Sequence, residues 1–367
     1  MGDPHRPMQL LVDFCELIIS MWTRCFDERY WEPVKHLVAL ISYTLQLHTT
    51  TVAVLTIRNL AAAAQTTIFM VAEGRHRVPD GDLSKNEAYR DVAEHINTTY
   101  ILGLLQVVAM ACATTPIKTD QGLELRTGEL WQLLTFDFVL LLLTPKQKLE
   151  DVIGMLELLH TSALPGSIGP IIEDKEPAFV ARVIIERVSA KLLEFPWSAT
   201  TADEKRRVRT SALRTLIAFA RHPFGASQLA SHTNALPRLV GCLSTSIDDL
   251  YDQPIPSTVL PPPSDADDLL PVTPDPSASL SLIISQCVLL IHTLVTGPHA
   301  ADVGQKLSVS HGGSQRYLIA LGRLTFAEED LVLEAGIEGE VVEAAHELLE
   351  MVVTPDEGEI VSEAFGA

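Results

Sequence analysis

Leu130–Leu143 (LWQLLTFDFVLLLL) is the stretch whose reading decides the fold class. It is apolar on nearly every side, interrupted only by Gln132, Thr135 and Asp137. A helix apolar all round must be covered on several sides, by protein or by lipid. Thr144-Pro145-Lys146-Gln147 follows, and its spelling predicts a fresh helix start. Thr144 would cap it, Pro145 suits a first turn where no amide donor is needed, and Gln147 would reach back to close a capping box. In the helix so opened, Leu149, Val152, Ile153, Leu156 and Leu159 share one face, with Glu150, Gly154, Glu157 and Thr161 opposite. A buried helix hairpinned to a half-exposed one is the repeating unit of an α-solenoid.

Working outward, the composition agrees. Of 367 residues, 47% are hydrophobic but only 6% aromatic, the texture of stacked helices rich in Leu, Ala, Val and Ile. The formal net charge of −20 argues against direct binding to a nucleic-acid backbone. Cys15, Cys25, Cys112, Cys242 and Cys287 are scattered without a CxxC pair, which reads as buried thiols in a reducing compartment. The N-terminal residues lack a basic-then-apolar leader pattern, so no secretory signal is expected. Leu37–Ile57 and Ile96–Ile117 carry no formal charge and reach the roughly 20 residues of a membrane span. Both are threaded with Ser, Thr, Gln, Asn or His, however, and neither is flanked by a Lys/Arg cluster that would orient it. Buried solenoid helices are the expectation, with no membrane.

Toward the N-terminus, helices are predicted over Met8–Cys25, from Glu32-Pro33 to His48, and, after a break at Thr49–Thr51, through an Ala-rich run to Ala72. Gly74–Asn86 reads as a loop. Ser84 with Glu87 spells a capping box for a helix reaching Ala113, with a break near Asn97. Pro116–Gly128 is a polar connector, and Ser162–Pro177 an irregular crossover. Further helices are predicted over Ala178–Phe195 (inward Val180, Ile184, Val188, Leu192), Thr201–Arg221 behind a Thr201/Glu204 capping box, Gly225–His232 and Asn234–Tyr251. Gln253–Ser277 then breaks the pattern with dense proline and acidic residues and reads as a disordered insertion. Helices resume at Ala278–Thr296, Gln315–Ala327 and Gly339–Val353, and Thr354-Pro355-Asp356-Glu357 spells a short terminal one. No segment alternates cleanly enough to predict a sheet. The expected fold is therefore all-α, a HEAT/armadillo-like α-solenoid of degenerate helical hairpins. Residues 1–252 form its body, 253–277 the Pro/Asp-rich insertion and 278–367 the C-terminal helices and acidic end.

Signatures of catalysis are absent. His346-Glu347-Leu348-Leu349-Glu350 has a Glu where a zinc-protease helix needs its second His. His311-Gly312-Gly313-Ser314 has neither a nucleophile elbow nor a preceding strand. No Walker loop or dinucleotide fingerprint occurs, so no catalytic, cofactor-binding or metal residue is assigned. Asp267-Asp268-Leu269-Leu270 has the texture of a short docking motif, which fits an alternative reading as a general helical-repeat scaffold for assembly or trafficking.

Two charge features point to partners. Lys205, Arg206, Arg207, Arg209, Arg214 and Arg221 belong to one helix whose Val208, Ala212, Leu216 and Phe219 turn inward. Its face at Arg207, Arg214 and Arg221 would suit an acidic partner. After Arg323 there is no further Lys or Arg, while thirteen Asp and Glu follow. In Gly339–Val353, Val341, Val342, Ala345, Leu348, Leu349 and Val352 would face inward, aligning Glu340, Glu343, Glu347 and Glu350 outward as a docking surface for a basic groove.

Five stretches carry a family resemblance: Leu37–His48 (LVALISYTLQLH), Ala64–Val71 (AQTTIFMV), Asp151–Pro170 (DVIGMLELLHTSALPGSIGP), Arg221–Leu243 (RHPFGASQLASHTNALPRLVGCL) and Arg316–Pro355. The chain resembles the fungal branch of the ATR-interacting protein (ATRIP) family over most of its length. The resemblance implies a HEAT-like solenoid, a nuclear location, and a regulatory role in the DNA-damage and replication-stress checkpoint. It also implies docking onto the N-terminal solenoid of an ATR-type PI3K-like kinase, and contact with RPA-coated single-stranded DNA only indirectly. Family members begin with an acidic RPA-binding segment and a dimerising coiled coil. No heptad run appears here, so this chain is expected to be the C-terminal solenoid portion.

Overall fold

The computed structural model describes residues 6–119, 122–252, 276–299, 301–308, 312–326 and 336–352. The insertion expected over 253–277 falls almost wholly outside these residues, as does the short helix expected after Thr354.

Helix α1 (Arg6–Asp27) folds back onto α2 (Val34–Arg77), and the Trp22 indole N–H donates to Thr67 Oγ1 at 3.1 Å to pin the pair. α2 bends where a break is expected: His48 is non-helical (φ −137°, ψ 44°). A 3₁₀ turn (Leu83–Lys85) leads to α3 (Glu87–His95) and α4 (Thr98–Thr114), bent by 49° at Ile96-Asn97. Asn97 caps α4 by accepting from the Tyr100 amide at 3.1 Å. The start of α3 differs from expectation. Asn86 is its cap, accepting from the Ala88 amide at 3.0 Å, while Ser84 belongs to the preceding turn.

Three further expectations fail locally. Pro116–Thr119 (β1) and Gly122–Leu125 (β2) pair antiparallel, Pro116 opposite Leu125 and Thr119 opposite Gly122. Strands of four residues are too short to show alternation in a sequence. And Leu130–Leu143 is not one helix but two, α5 (Glu129–Leu133) and α6 (Phe136–Leu142). The Thr135 amide, which a continuous helix would use internally, donates instead to Gln65 Oε1 of α2 at 2.7 Å. Thr144 and Gln147 do not form a capping box. The Thr144 hydroxyl donates back to the Leu141 carbonyl, and the Gln147 amide reaches across to the Ala72 carbonyl at 2.9 Å.

α7 (Leu149–His160) buries the predicted Leu149, Val152, Ile153, Leu156 and Leu159, and also Asp151, Met155 and Leu158. After the irregular crossover come α8 (Pro177–Ala190), α9 (Ala202–Ala220), α10 (Pro223–Ser231) and α11 (Ala235–Tyr251). Val180, Ile184, Val188 and Leu192 are buried as predicted, although Leu192 lies past the helix end. The α9 capping box forms: Thr201 accepts from the Glu204 amide, and Glu204 accepts from the Thr201 amide. α12 (Pro276–Thr296), α13 (Val303–Ser308), α14 (Gly313–Thr325) and α15 (Gly339–Glu350) complete the described chain.

The helices form an α-solenoid. In one layer α2, α4, α7, α9, α12 and α15 pack each against the next; α5–α6, α8, α11 and α14 pack alongside them. Each helix has its main contacts with near neighbours, as stacked repeats require. Val52–Arg77 and Pro276–Thr296 are long and apolar enough to cross a membrane by length and composition. Here one side of each packs against protein: Ile57, Leu60 and Ile68 of α2, and Leu280, Ile284 and Ile291 of α12, are buried, while Leu55 of α2 and Leu282 and Leu289 of α12 stay exposed.

One joint of the stack is polar. Arg75, expected in a loop, sits in the last turn of α2 and is 3% exposed. Its guanidinium pairs with Asp151 of α7, itself 0% exposed, and also donates to Thr98 Oγ1 and Gln147 Oε1. Thr98 and Thr99 hydroxyls each donate to Asp151 at 2.6 Å. A buried charge pair persists only when its remaining lone pairs and protons are satisfied, and here α2, α4 and α7 supply the partners.

Candidate partner-binding surfaces

α15 arises from a simple pattern. Val341, Ala344, Ala345, Leu348 and Leu349 are buried and the helix packs on α12 and α14. Val342 is only half-buried, and Val352, expected inward, lies beyond the helix end and is exposed. Glu340, Glu343, Glu347 and Glu350 are all exposed, as the spacing predicts. Glu347 meets His292 Nε2 of α12 at 2.7 Å, and Glu350 meets His346 Nε2 at 3.1 Å. Glu340 and Glu343 make no ion pair among the described residues. The last turn carries no basic residue, so Glu347 and Glu350 stand at the negative end of the helix dipole, where acids destabilise. The helix dipole therefore favours Glu340, in the first turn, but gives Glu347 and Glu350 no reason to be acidic.

α9 treats its cations unevenly. Val208, Ala212, Leu216 and Phe219 are buried as predicted. Arg209 does not join the exposed face: it is buried, donating Nε–H to the Leu192 carbonyl at 3.2 Å and pairing with Asp249 at 3.4 Å over the Phe195 ring. Arg207 makes a bidentate bond to Glu150 of α7 at 2.9 and 3.0 Å. Arg206 leans on Asp203 at 3.6 Å. Arg214 and Arg221 are exposed. Burial, with Arg221 and Arg214 nearby, holds the His160 imidazole below its usual pKa. Arg207 and Arg214 face one groove beside α12, whereas Arg221 sits at the C-terminal end of α9. Arg206, Ser211 and Ser279 share that groove. The sequence pattern gives Arg206 no role beyond the charge run and marks neither serine. The spacing of Arg207, Ser211 and Arg214 along one helix is the signal that places three of the residues together; nothing local brings in Ser279 of α12.

Among the described residues no group of three or more His, Cys, Asp and Glu is placed to hold a metal. Cys15, Cys112, Cys242 and Cys287 are buried free thiols, with burial pushing Cys112 up to about 11.

Comparison with known proteins fits this arrangement of stacked helices followed by an acidic end. Residues 301–365 match the family described as Rad26-like, C-terminal domain. No curated protein matches the chain. Among solved structures, the crystal structure of Myceliophthora thermophila Rad26 (residues 373–841) is similar, with a TM-score of 0.83 and 40% identity. The similarity covers 97% of this chain and 90% of that one. Since residues 63–295, well over half of the chain, also match the family described as Rad26-like, helical repeats, the protein belongs to the Rad26-like family.

Proposed function

We propose that this chain is the solenoid part of an ATRIP-type regulatory subunit, non-catalytic itself, that binds an ATR-type PI3K-like checkpoint kinase in the nucleus. The observation that carries the reading is the likeness to Rad26 along nearly the whole chain, because Rad26 is a checkpoint protein of the ATRIP family. The solenoid supports it physically: an elongated stack of helices offers a long side to another solenoid, such as the kinase's N-terminal one. The acidic row Glu340, Glu343, Glu347 and Glu350 is the proposed main contact, meeting a basic groove on the kinase, with the α9 cations as the next candidate. RPA-coated single-stranded DNA would be reached only indirectly, since a net charge of −20 repels a phosphate backbone. No membrane is invoked, because the apolar helices have protein partners.

Affinity purification of the tagged chain from fungal nuclear extract, followed by mass spectrometry, tests this. Stoichiometric recovery of a very large PI3K-like kinase is expected. Recovery of a coat or trafficking assembly in its place would overturn the reading in favour of a general scaffold.

A further inference from the structure

Between α7, α9 and the start of α12 lies an open groove of about 280 Å³, room for one side chain rather than a cofactor. Its walls are rich in hydrogen-bond donors. Arg206, Thr210, Ser211 and Arg214 come from α9, and Ser279 from α12. Two of these donors are buried. Ser211 is 7% exposed, and neither its Oγ nor the Nε–H of Arg206 has a hydrogen-bond partner among the described residues. A buried donor without a partner pays its desolvation cost uncompensated, so two of them lining one groove mark a place that an acceptor completes. Arg214 adds an exposed cation that pairs with no carboxylate among the described residues.

The same groove limits what can enter. Arg207 is held by Glu150 and contributes little free charge. Glu157 and Asp203 stand on the rim and would repel a run of negative charges. Leu282, an exposed apolar residue, and buried Ile153 supply an apolar edge. One oxyanion with an apolar neighbour fits; a polyanion does not.

We propose that this groove is a binding site for a single oxyanion side chain, a carboxylate or a phosphorylated serine, presented next to an apolar residue by a partner polypeptide. Arg214 holds the charge, Arg206, whose other end leans on Asp203, donates its Nε–H, Ser211 donates from beneath, and Leu282 covers the apolar neighbour. The site is separate from the acidic face of α15, and it stands on the groove's own geometry whether or not the partner is a kinase.

The test uses the full chain and fluorescein-labelled peptides Gly-Leu-Xaa-Leu-Gly-Gly, with Xaa phosphoserine, glutamate or serine, read by fluorescence polarisation. The phosphoserine and glutamate peptides should bind, and the serine peptide should bind about tenfold more weakly, the size of one charge-assisted hydrogen bond. Arg214→Ala, which removes an exposed and unpaired side chain, should keep the wild-type thermal melt and weaken both acidic peptides about tenfold. Arg214→Lys should retain part of that affinity. Ser211→Ala should weaken the acidic peptides by a smaller factor and leave the serine peptide unchanged. Equal binding of the serine peptide would overturn the proposal. So would unchanged affinity in folded Arg214→Ala, or no binding of either acidic peptide at about 1 mM, the weak end of specific recognition. A single-stranded oligonucleotide that displaces the peptides more tightly than free phosphoserine would show that the groove reads nucleic-acid phosphate, which also overturns it.

Discussion

Helix α9 carries Lys205, Arg206, Arg207 and Arg209 in its first half and Arg214 further on; α15 carries Glu340, Glu343, Glu347 and Glu350. In α9, in the middle of the stack, most cations have work inside the protein. Arg209 is buried against Leu192 and Asp249, Arg207 clamps α7 through Glu150, and Lys205 lies over Phe195. Its neighbour α7 goes further and buries Asp151 outright. In α15, the last described helix, the charges stand in water. The two that meet partners do so through the histidines His292 and His346 at an exposed surface, where such pairs contribute about 0–1 kcal/mol. The difference follows from neighbours. A middle helix must satisfy whatever charge falls on its covered sides, as Arg209 and Asp151 show, whereas Arg214 of α9 and the glutamates of α15 lie on free faces.

The comparison breaks most visibly at the buried pair. Asp151→Ala should cost about 3–5 kcal/mol, because it strands the Arg75 guanidinium in the interior. Replacing both partners, Arg75→Met with Asp151→Leu, should recover more than half of that loss, since the penalty lies in the orphaned charge. Urea titration of the three proteins measures it; a double variant as unstable as Asp151→Ala would show that the hydrogen bonds from Thr98 and Thr99 matter more than the charge.

One step along the same helix, Leu156→Ala should cost about 2–5 kcal/mol by emptying a packed face. Glu157→Ala, exposed and adjacent, should stay within about 0.5 kcal/mol. Equal shifts in the same titration would contradict the burial pattern of α7.

Acid should loosen the middle. His232 follows α10, buried, with its Nδ1 accepting from the Asn234 amide at 3.2 Å, which requires the neutral ring. Burial lowers its pKa; Glu186 opposes this, while Arg238 and Lys306 assist. The unfolded chain therefore takes up this proton first as pH falls below about 6.5, so stability present above that value is lost on acidification. His160 shifts in the same direction and adds to the loss. The thermal midpoint should be lower at about pH 5.5 than at about pH 7.5, and His232→Asn should narrow the gap. A midpoint flat across that range would rule out these histidines as the sensitive groups.

The smallest effect on stability should come from the end helix. Glu343→Lys with Glu347→Lys and Glu350→Lys should move the melt by no more than about 1 kcal/mol, in keeping with exposed charge. The same triple variant should lose the co-purifying kinase, and the wild-type association should weaken as salt rises. Full recovery of the kinase by the folded variant would move the contact to the cations of α9.

Helix positions and inward faces were legible because they are local. The 3.6-residue period of α7, α8 and α9 and the capping box at Thr201 and Glu204 are written in consecutive residues and reappear in the structure. So is the acidic row of α15. What the sequence by itself determined is thus an all-α solenoid and which side of most helices faces water. The tertiary structure alone decided where the rest of the polar groups went. Gln65 takes the Thr135 amide and splits a helix that its own residues would continue. Gln147 leaves its expected cap for the Ala72 carbonyl, and Arg75 finds Asp151 seventy-six positions away. Hydrogen-bond donors and charges are satisfied by whatever the fold brings within reach, and a helical period carries no record of that partner.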